Sequence, residues 1–152
     1  MKVLMITGDK RIFEPHTEAH ERFVLQRSQV DELEAVLWSP RRPLALFSVL
    51  GQALTRRFDV VTAQDPLWRG LLGLVAARLG GCRLQVQLRG DLRYLSGFSR
   101  ALVQIVLWHA DAVRAVSDTV RAQAEALGVR VFVDVLPVFV DTDVILRAPA
   151  TD

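Results

Sequence analysis

An alternation that runs the length of the chain most constrains what it can fold into. Short, β-branched-rich runs bounded by turn residues recur at Val3–Thr7, Leu33–Trp38, Asp59–Ala63, Arg83–Leu88, Ala112–Val116 and Val131–Leu136, and each reads as a strand. Helical stretches lie between them: Thr17–Arg27, Leu44–Arg57, a segment opened by Asp65-Pro66 and closed by Gly80-Gly81, Phe98–His109, and a segment capped by Ser117-Asp118 and closed by Gly128. Alternating strands and helices predict a mostly parallel sheet of about six strands with helices on both faces. No repeat, low-complexity tract or internal linker interrupts the pattern. The expectation is a single doubly wound, Rossmann-like α/β domain over residues 1–143, with 144–152 as a tail or the start of an interdomain linker.

Bulk properties narrow the partners. A chain of 152 residues suits one domain and buries roughly 68–70% of the surface its unfolded form exposes. A net charge of +2 is too small to imply nucleic acid. A mean hydropathy of +0.24 is high for a soluble domain and points to apolar surface meant for another domain, a partner or a membrane face. Several arginines fall in loops (Arg11, Arg41, Arg42, Arg69, Arg89, Arg93), where guanidinium suits phosphate or carboxylate, although codon bias accounts for an Arg excess equally well. The single Cys82 excludes an internal disulfide and reads as a small buried hydrophobe. The opening MKVLMITGDK carries too short an apolar run for an export signal, and no stretch reaches the ~18–20 apolar residues of a membrane span. A cytoplasmic setting is expected, with a peripheral place at the inner membrane face as its extension.

In a doubly wound sheet, ligands bind beyond the carboxyl ends of the strands. With the strand order 3-2-1-4-5-6, the first and fourth strands are neighbours, and their ends, Thr7-Gly8-Asp9 and Arg89-Gly90-Asp91, should face each other across the crevice. Glycine admits close backbone approach, and the acids accept hydroxyl hydrogen bonds, a chemistry suited to a polyol or sugar. Gly8, Asp9, Lys10, Arg11, Gln64, Asp65, Arg89, Gly90, Asp91 and Ser117 are the candidate substrate contacts, although Asp65 and Ser117 read first as helix caps. The first loop holds one glycine and no G-x-G-x-x-G, which argues against the usual NAD or FAD mode, and no P-loop motif is present. His16 and His20 share a helix face if the helix starts early enough, but no third metal ligand is evident. The alternative is a polar loop that offers His16 to the crevice as a base or hydrogen-bond group.

The order of MKVLMITGD, FDVVTAQDPLWRGLLG, LQVQLRGD, HADAVRAVSDTVRAQAEALGV and VDVLPVFVDTD resembles the N-terminal domain of GT-B glycosyltransferases, specifically the family-4-like retaining group. The resemblance spans nearly the whole chain, to about Asp143. It implies transfer of a sugar from a nucleotide-sugar donor, with no resident cofactor or metal. In that family the N-terminal half shapes the acceptor site, and the C-terminal half grips the nucleotide and supplies a glutamate pair. No such pair occurs here, so a donor-binding domain in cis or trans is the expected partner, alongside a sugar or lipid-linked acceptor and an anionic membrane surface.

Two positions depart from the family pattern. Arg89 stands where the family often has a His that contacts the transferred sugar, and Val138-Phe139 replace an Asn-Gly before Val-Asp. Arg89, Asp91 and His16 are the candidate catalytic residues. Trp68 with Arg69, and the apolar, Arg-bearing stretches Leu44–Arg57 and Arg93–Trp108, could lie against anionic lipid or be buried helices with solvated ends. The expected function is the acceptor-binding half of a glycosyltransferase, which self-associates through its open cleft when the donor half is missing. The alternative is a stand-alone Rossmann-like binding or assembly module.

Overall fold

The computed structural model of the protein describes residues 1–39 and 44–137. Six strands form one sheet: β1 (Lys2–Thr7), β2 (Glu32–Leu37), β3 (Val60–Ala63), β4 (Arg83–Leu88), β5 (Ala112–Ala115) and β6 (Val133–Val135). Five helices connect them: α1 (Glu18–Ser28), α2 (Ala45–Thr55), α3 (Trp68–Gly80), α4 (Gly97–His109) and α5 (Asp118–Ala126). Every strand pair is parallel, so the α/β reading holds. The predicted crossover into a second domain, at Val138-Phe139 and beyond, lies outside the described residues.

The strand order corrects one expectation. The sheet runs β2-β1-β3-β4-β5-β6, so β3 separates β1 from β4. Sequence composition explains why β2 takes the edge. Glu32 and Glu34 give it a charged face, which Lys2 and Arg56 cover through ion pairs, whereas β3 (VVTA) is apolar enough for the interior. An edge strand has room for only one neighbour, and the chain must return across β1.

Handedness then distributes the helices unevenly. The step from β1 to β2 runs one way along the sheet and every later step runs the other way. Right-handed crossovers therefore put α1 on one face and α2 to α5 on the opposite face. The main core confirms this: Leu4, Ile6, Val61, Leu84, Val86 and Val113 pack against Val49 of α2, Leu72 and Ala76 of α3, Val103 and Val106 of α4 and Ala124 of α5. Under α1 a smaller cluster joins Val3, Met5 and Leu33 to Phe23. Beyond α1, this second face is polar, carrying Thr62, Gln85, Gln87, Arg114 and Asp134 at successive registers. Both faces carry helices, one of them only at its β1–β2 end.

Helix α3 sits close because its inner side is small. A methyl group on Gly73 would lie 3.1 Å from Leu84 and 3.2 Å from Ala63, and one on Gly80 would lie 2.8 Å from the Ala53 carbonyl of α2. The amino edge of the sheet is tied by two aspartates. Asp59 accepts the Lys2 N–H (2.6 Å) and Asp111 accepts the Leu84 N–H (2.8 Å). The Asp of FDVV and of ADAV is therefore structural, at the edge opposite the cleft.

Helix ends match the sequence in part. Ser117 caps α5, accepting from the Val120 N–H at 3.3 Å, and Gly128 closes it at φ 82°. Thr17 caps α1 from outside, accepting from the His20 N–H at 3.1 Å. Asp65 is not the cap of α3. That helix starts at Trp68 after Leu67, and Asp65 instead accepts the Leu67 N–H at 3.0 Å in a turn two residues long. Asp65 also pairs with Arg69, which draws it out of the helix-capping position. Helix α2 ends at Thr55, and Arg56 reaches the β2 glutamates instead of the helix carbonyls. Cys82 is half-buried, and burial raises its thiol pKa, which keeps it protonated and inert.

Candidate functional site

The sheet changes direction between β1 and β3, and the loops that leave their carboxyl ends open a cleft there. The cleft encloses about 360 Å³, at the small end of ligand pockets. It lies in the angle between α1 and the polar sheet face. Asp9, Gln64 and Arg89 line it from the ends of β1, β3 and β4, and Arg22 and Gln26 from α1. Gln87, Arg114 and Val116 complete the wall from β4 and β5, with Leu136 and Pro137 beyond β6.

Of the candidates drawn from sequence, Asp9, Gln64 and Arg89 come together here. Of the expected facing of Gly8-Asp9 and Arg89-Gly90-Asp91, the altered strand order keeps the part made by Asp9 and Arg89, which sense each other's charge although β3 lies between their strands; Gly90 and Asp91 do not line the cleft. Gly8 lies just outside, and the Arg69 guanidinium fills the space a Cβ at that position would need. Lys10 pairs with Glu14 at 3.6 Å on the surface, and Ser117 is occupied as a cap. His16 is exposed on the loop before α1 with φ 66°, and does not line the cleft. His20 is committed through Nδ1 to the Ile12 carbonyl at 2.8 Å.

The two Gly-Asp loops share a local device. In Gly8-Asp9-Lys10-Arg11, Asp9 accepts the Arg11 N–H (3.1 Å) and holds its guanidinium through both carboxylate oxygens at 3.0 Å. In Gly90-Asp91-Leu92-Arg93, Asp91 accepts the Arg93 N–H (2.9 Å) and its guanidinium at 2.6–3.1 Å. The Arg11 contacts hold the Asp9 carboxyl below its ordinary pKa. Hydrogen bonds from Arg93 bring Asp91 down to about 2. Each carboxylate is thereby satisfied by its own loop. Asp91 faces Arg93 outside the cleft wall, while Gln123 holds the same loop to α5 by accepting the Leu92 N–H at 2.8 Å. The signal for this pairing is the repeated Gly-Asp-x-Arg spacing, of which only the Gly-Asp half stands out in the bare sequence.

Arg89 is aimed by a chain of hydrogen bonds along the polar sheet face. It donates to Gln87 Oε1 (3.1 Å); Gln87 Nε2 donates to Thr62 Oγ1 (3.2 Å); Thr62 Oγ1 donates to Gln85 Oε1 (3.0 Å). Thr62 and Gln87 are buried, and this chain satisfies them. The residue is exposed as a whole, yet its guanidinium is recessed among protein atoms. Burial, then the charges of Arg114 and Arg22, lower its pKa, and Asp9 raises it. Gln64 is fixed by Thr7, whose Oγ1 donates to Gln64 Oε1 at 2.6 Å. Sequence reasoning missed Arg22, Gln26, Gln87 and Arg114. An Arg between Val113 and Ala115 on a strand was the available signal, because β5 otherwise reads as apolar.

A parallel sheet whose cleft opens at the carboxyl edge, with arginine and amide side chains set among apolar ones such as Met5, Ile12, Phe23 and Leu88, defines an α/β domain with an amphipathic ligand cleft. The chain belongs to the glycosyl transferase 4-like domain family, whose model matches residues 2–138. Among solved structures it is similar to Anabaena Alr3699/HepE in complex with UDP, at 16% identity and a TM-score of 0.63 over 94% of this chain and 45% of that one. It is also similar to the same protein in complex with UDP and glucose, at 15% identity and a TM-score of 0.61 over 94% of this chain and 46% of that one. The chain thus spans under half the length of these structures, and the likeness is one of fold. No curated protein sequence matches it.

Proposed function

We propose that this chain forms the acceptor side of a glycosyltransferase cleft and works with a donor-binding domain, joined in cis or supplied in trans. One observation carries this reading: Asp9, Gln64 and Arg89 line an open cleft at the carboxyl edge of the sheet, in a chain of a glycosyltransferase family. The division of labour follows from the chemistry. The donor side must stabilise the departing nucleoside diphosphate, which is the main electrostatic demand of transfer. This side must hold an acceptor hydroxyl near the sugar carbon that is attacked. Gln64 and Arg89, held by Thr7 and Gln87, are fixed enough to orient such an acceptor. The donor is a nucleotide-sugar substrate, and the reading calls for no resident cofactor. UDP-glucose is the first donor to test, since the HepE structures hold UDP and, in one case, glucose.

The finer setting is a membrane surface on the cytoplasmic side. No helix among the described residues is long and apolar enough to cross a membrane. Trp68 and Phe98 lie with ring centroids 6.2 Å apart and both remain exposed, as does Tyr94, over which Arg93 sits at 5.8 Å. Such a pairing of aromatic rings and cations suits the interface of an anionic bilayer carrying a lipid-linked acceptor. Without a donor half, the chain self-associates through its open cleft.

The test joins this chain to a donor-binding domain and follows UDP release from UDP-glucose against a panel of acceptors. Calorimetry of the chain alone should show weak UDP binding or none. Tight UDP binding by these residues alone would overturn the division of labour. A monodisperse monomer that supports no transfer even when joined to a donor-binding domain favours the stand-alone module.

A further inference from the structure

The cleft wall contains more positive charge than a neutral acceptor requires. Arg22 projects from α1, Arg89 from the end of β4 and Arg114 from β5, so three elements bring a guanidinium to one 360 Å³ cavity. Asp9 is the one carboxylate among the described residues that line it, and Arg11 already holds both its oxygens. Among the described residues, Arg89 and Arg114 form no ion pair; their hydrogen bonds go to neutral oxygens, Gln87 Oε1 at 3.1 Å and the Leu136 carbonyl at 3.3 Å. Register explains the convergence, because Gln87 lies opposite Arg114 and the hydrogen bond from Arg89 folds that side chain back over the same sheet face.

Neighbouring like charges disfavour one another's charged state: burial and the charges of Arg114 and Arg22 lower the Arg89 pKa, with Asp9 opposing them. An incoming anion removes that penalty. The geometry also discriminates among anions. A carboxylate is planar and one guanidinium fork satisfies it, whereas a phosphate offers oxygens in several directions to donors from separate elements.

We propose that the basin of Arg22, Arg89 and Arg114 is a phosphate subsite, and that the acceptor bound in this cleft carries a phosphate group beside the hydroxyl that is glycosylated. This inference rests on the acceptor-side reading. It also accounts for Arg89, which holds the phosphate of the acceptor in the place where the related pattern puts a sugar-contacting His.

The probes are glucose 1-phosphate, glucose and glucuronate, titrated into the chain by calorimetry, with variants R89Q, R114Q and, as a charge control on the exposed side of α1, R27Q. Glucose 1-phosphate should bind at least about tenfold more tightly than glucose, and R89Q and R114Q should each weaken it about tenfold, while R27Q leaves it unchanged. Thermal unfolding of each variant verifies its fold, and the comparison of the three probes on the unaltered chain stands without any variant. Equal binding of glucose and glucose 1-phosphate overturns the subsite. So does a preference for glucuronate, or equal weakening by R27Q, which marks diffuse attraction. A joined enzyme that glycosylates neutral acceptors while the chain ignores glucose 1-phosphate overturns the subsite and leaves the acceptor-side reading intact. Phosphate binding that follows Arg89 and Arg114 in a chain that never supports transfer upholds the subsite and overturns that reading.

Discussion

Arg69 shows how a single side chain holds the rim together. Its Nε donates to the Trp38 carbonyl at 3.1 Å beyond β2, its Nη1 pairs with Asp65 beyond β3, and its guanidinium lies over Gly8 beyond β1. Three strand ends thus meet on one cation that is three-quarters buried. Gly8→Ala should therefore destabilise the protein in urea unfolding, by about 1–3 kcal/mol, through displacement of Arg69. In an Arg69→Ala background the same change should cost little, giving a coupling of about 0.5–3 kcal/mol in the double-mutant cycle. Independent costs would show that the two residues do not share the space. Little of this was legible in sequence. Asp65 followed four residues later by Arg69 reads as an ordinary helical pair, and nothing local says that Gly8 lies beneath it.

Helices α2 and α3 place two glycines in opposite circumstances. Gly80 closes on the Ala53 carbonyl at 2.8 Å, a backbone atom that cannot rotate away, whereas Gly51, inside α2, has nothing within 4 Å of its missing methyl. Gly51→Ala should stabilise the chain by about 0.4–1 kcal/mol through helix propensity and a less flexible unfolded state. Gly80→Ala should destabilise it by about 1–3 kcal/mol despite the same propensity, because α3 must move off α2. Denaturant midpoints of the two variants, shifted in opposite directions, check both. At this scale the sequence was highly legible. Strand and helix periods, the Ser117 cap and Gly128 all correspond to observed features. Misplaced boundaries trace to residues with a second partner: Asp65 goes to Arg69 and Arg56 goes to the β2 glutamates.

Among the described residues the molecule is lopsided, with four α-helices behind the sheet and one in front. Strand order was beyond reach of the sequence because a run's composition reports its burial and not its neighbour; the glutamates of β2 were the clue that it forms an edge. The cleft was half legible for a similar reason. Strand ends can be found in sequence, but Arg22 and Arg114 line one cleft only because the β1–β2 crossover sets α1 on the sheet face that carries Arg114. Stability should be graded across the sheet. In native-state hydrogen exchange, amides of β3 and β4, flanked on both sides and packed under α3, should be the slowest, and those of edge strands β2 and β6 should open first. Uniform protection from edge to edge would contradict a single core centred on β3 and β4.

The hydrogen-bond chain from Arg89 through Gln87 and Thr62 to Gln85 has a consequence for how such domains diverge. Because each link is directional, Thr62→Val deletes an acceptor for the Gln87 amide and a donor to Gln85, and so frees Gln87 to rotate. Arg89 then loses its aim while keeping its charge and its place in the wall. Ligand choice can thus drift by exchanges inside the sheet, and two descendants of this fold with the same cleft residues need not share an acceptor.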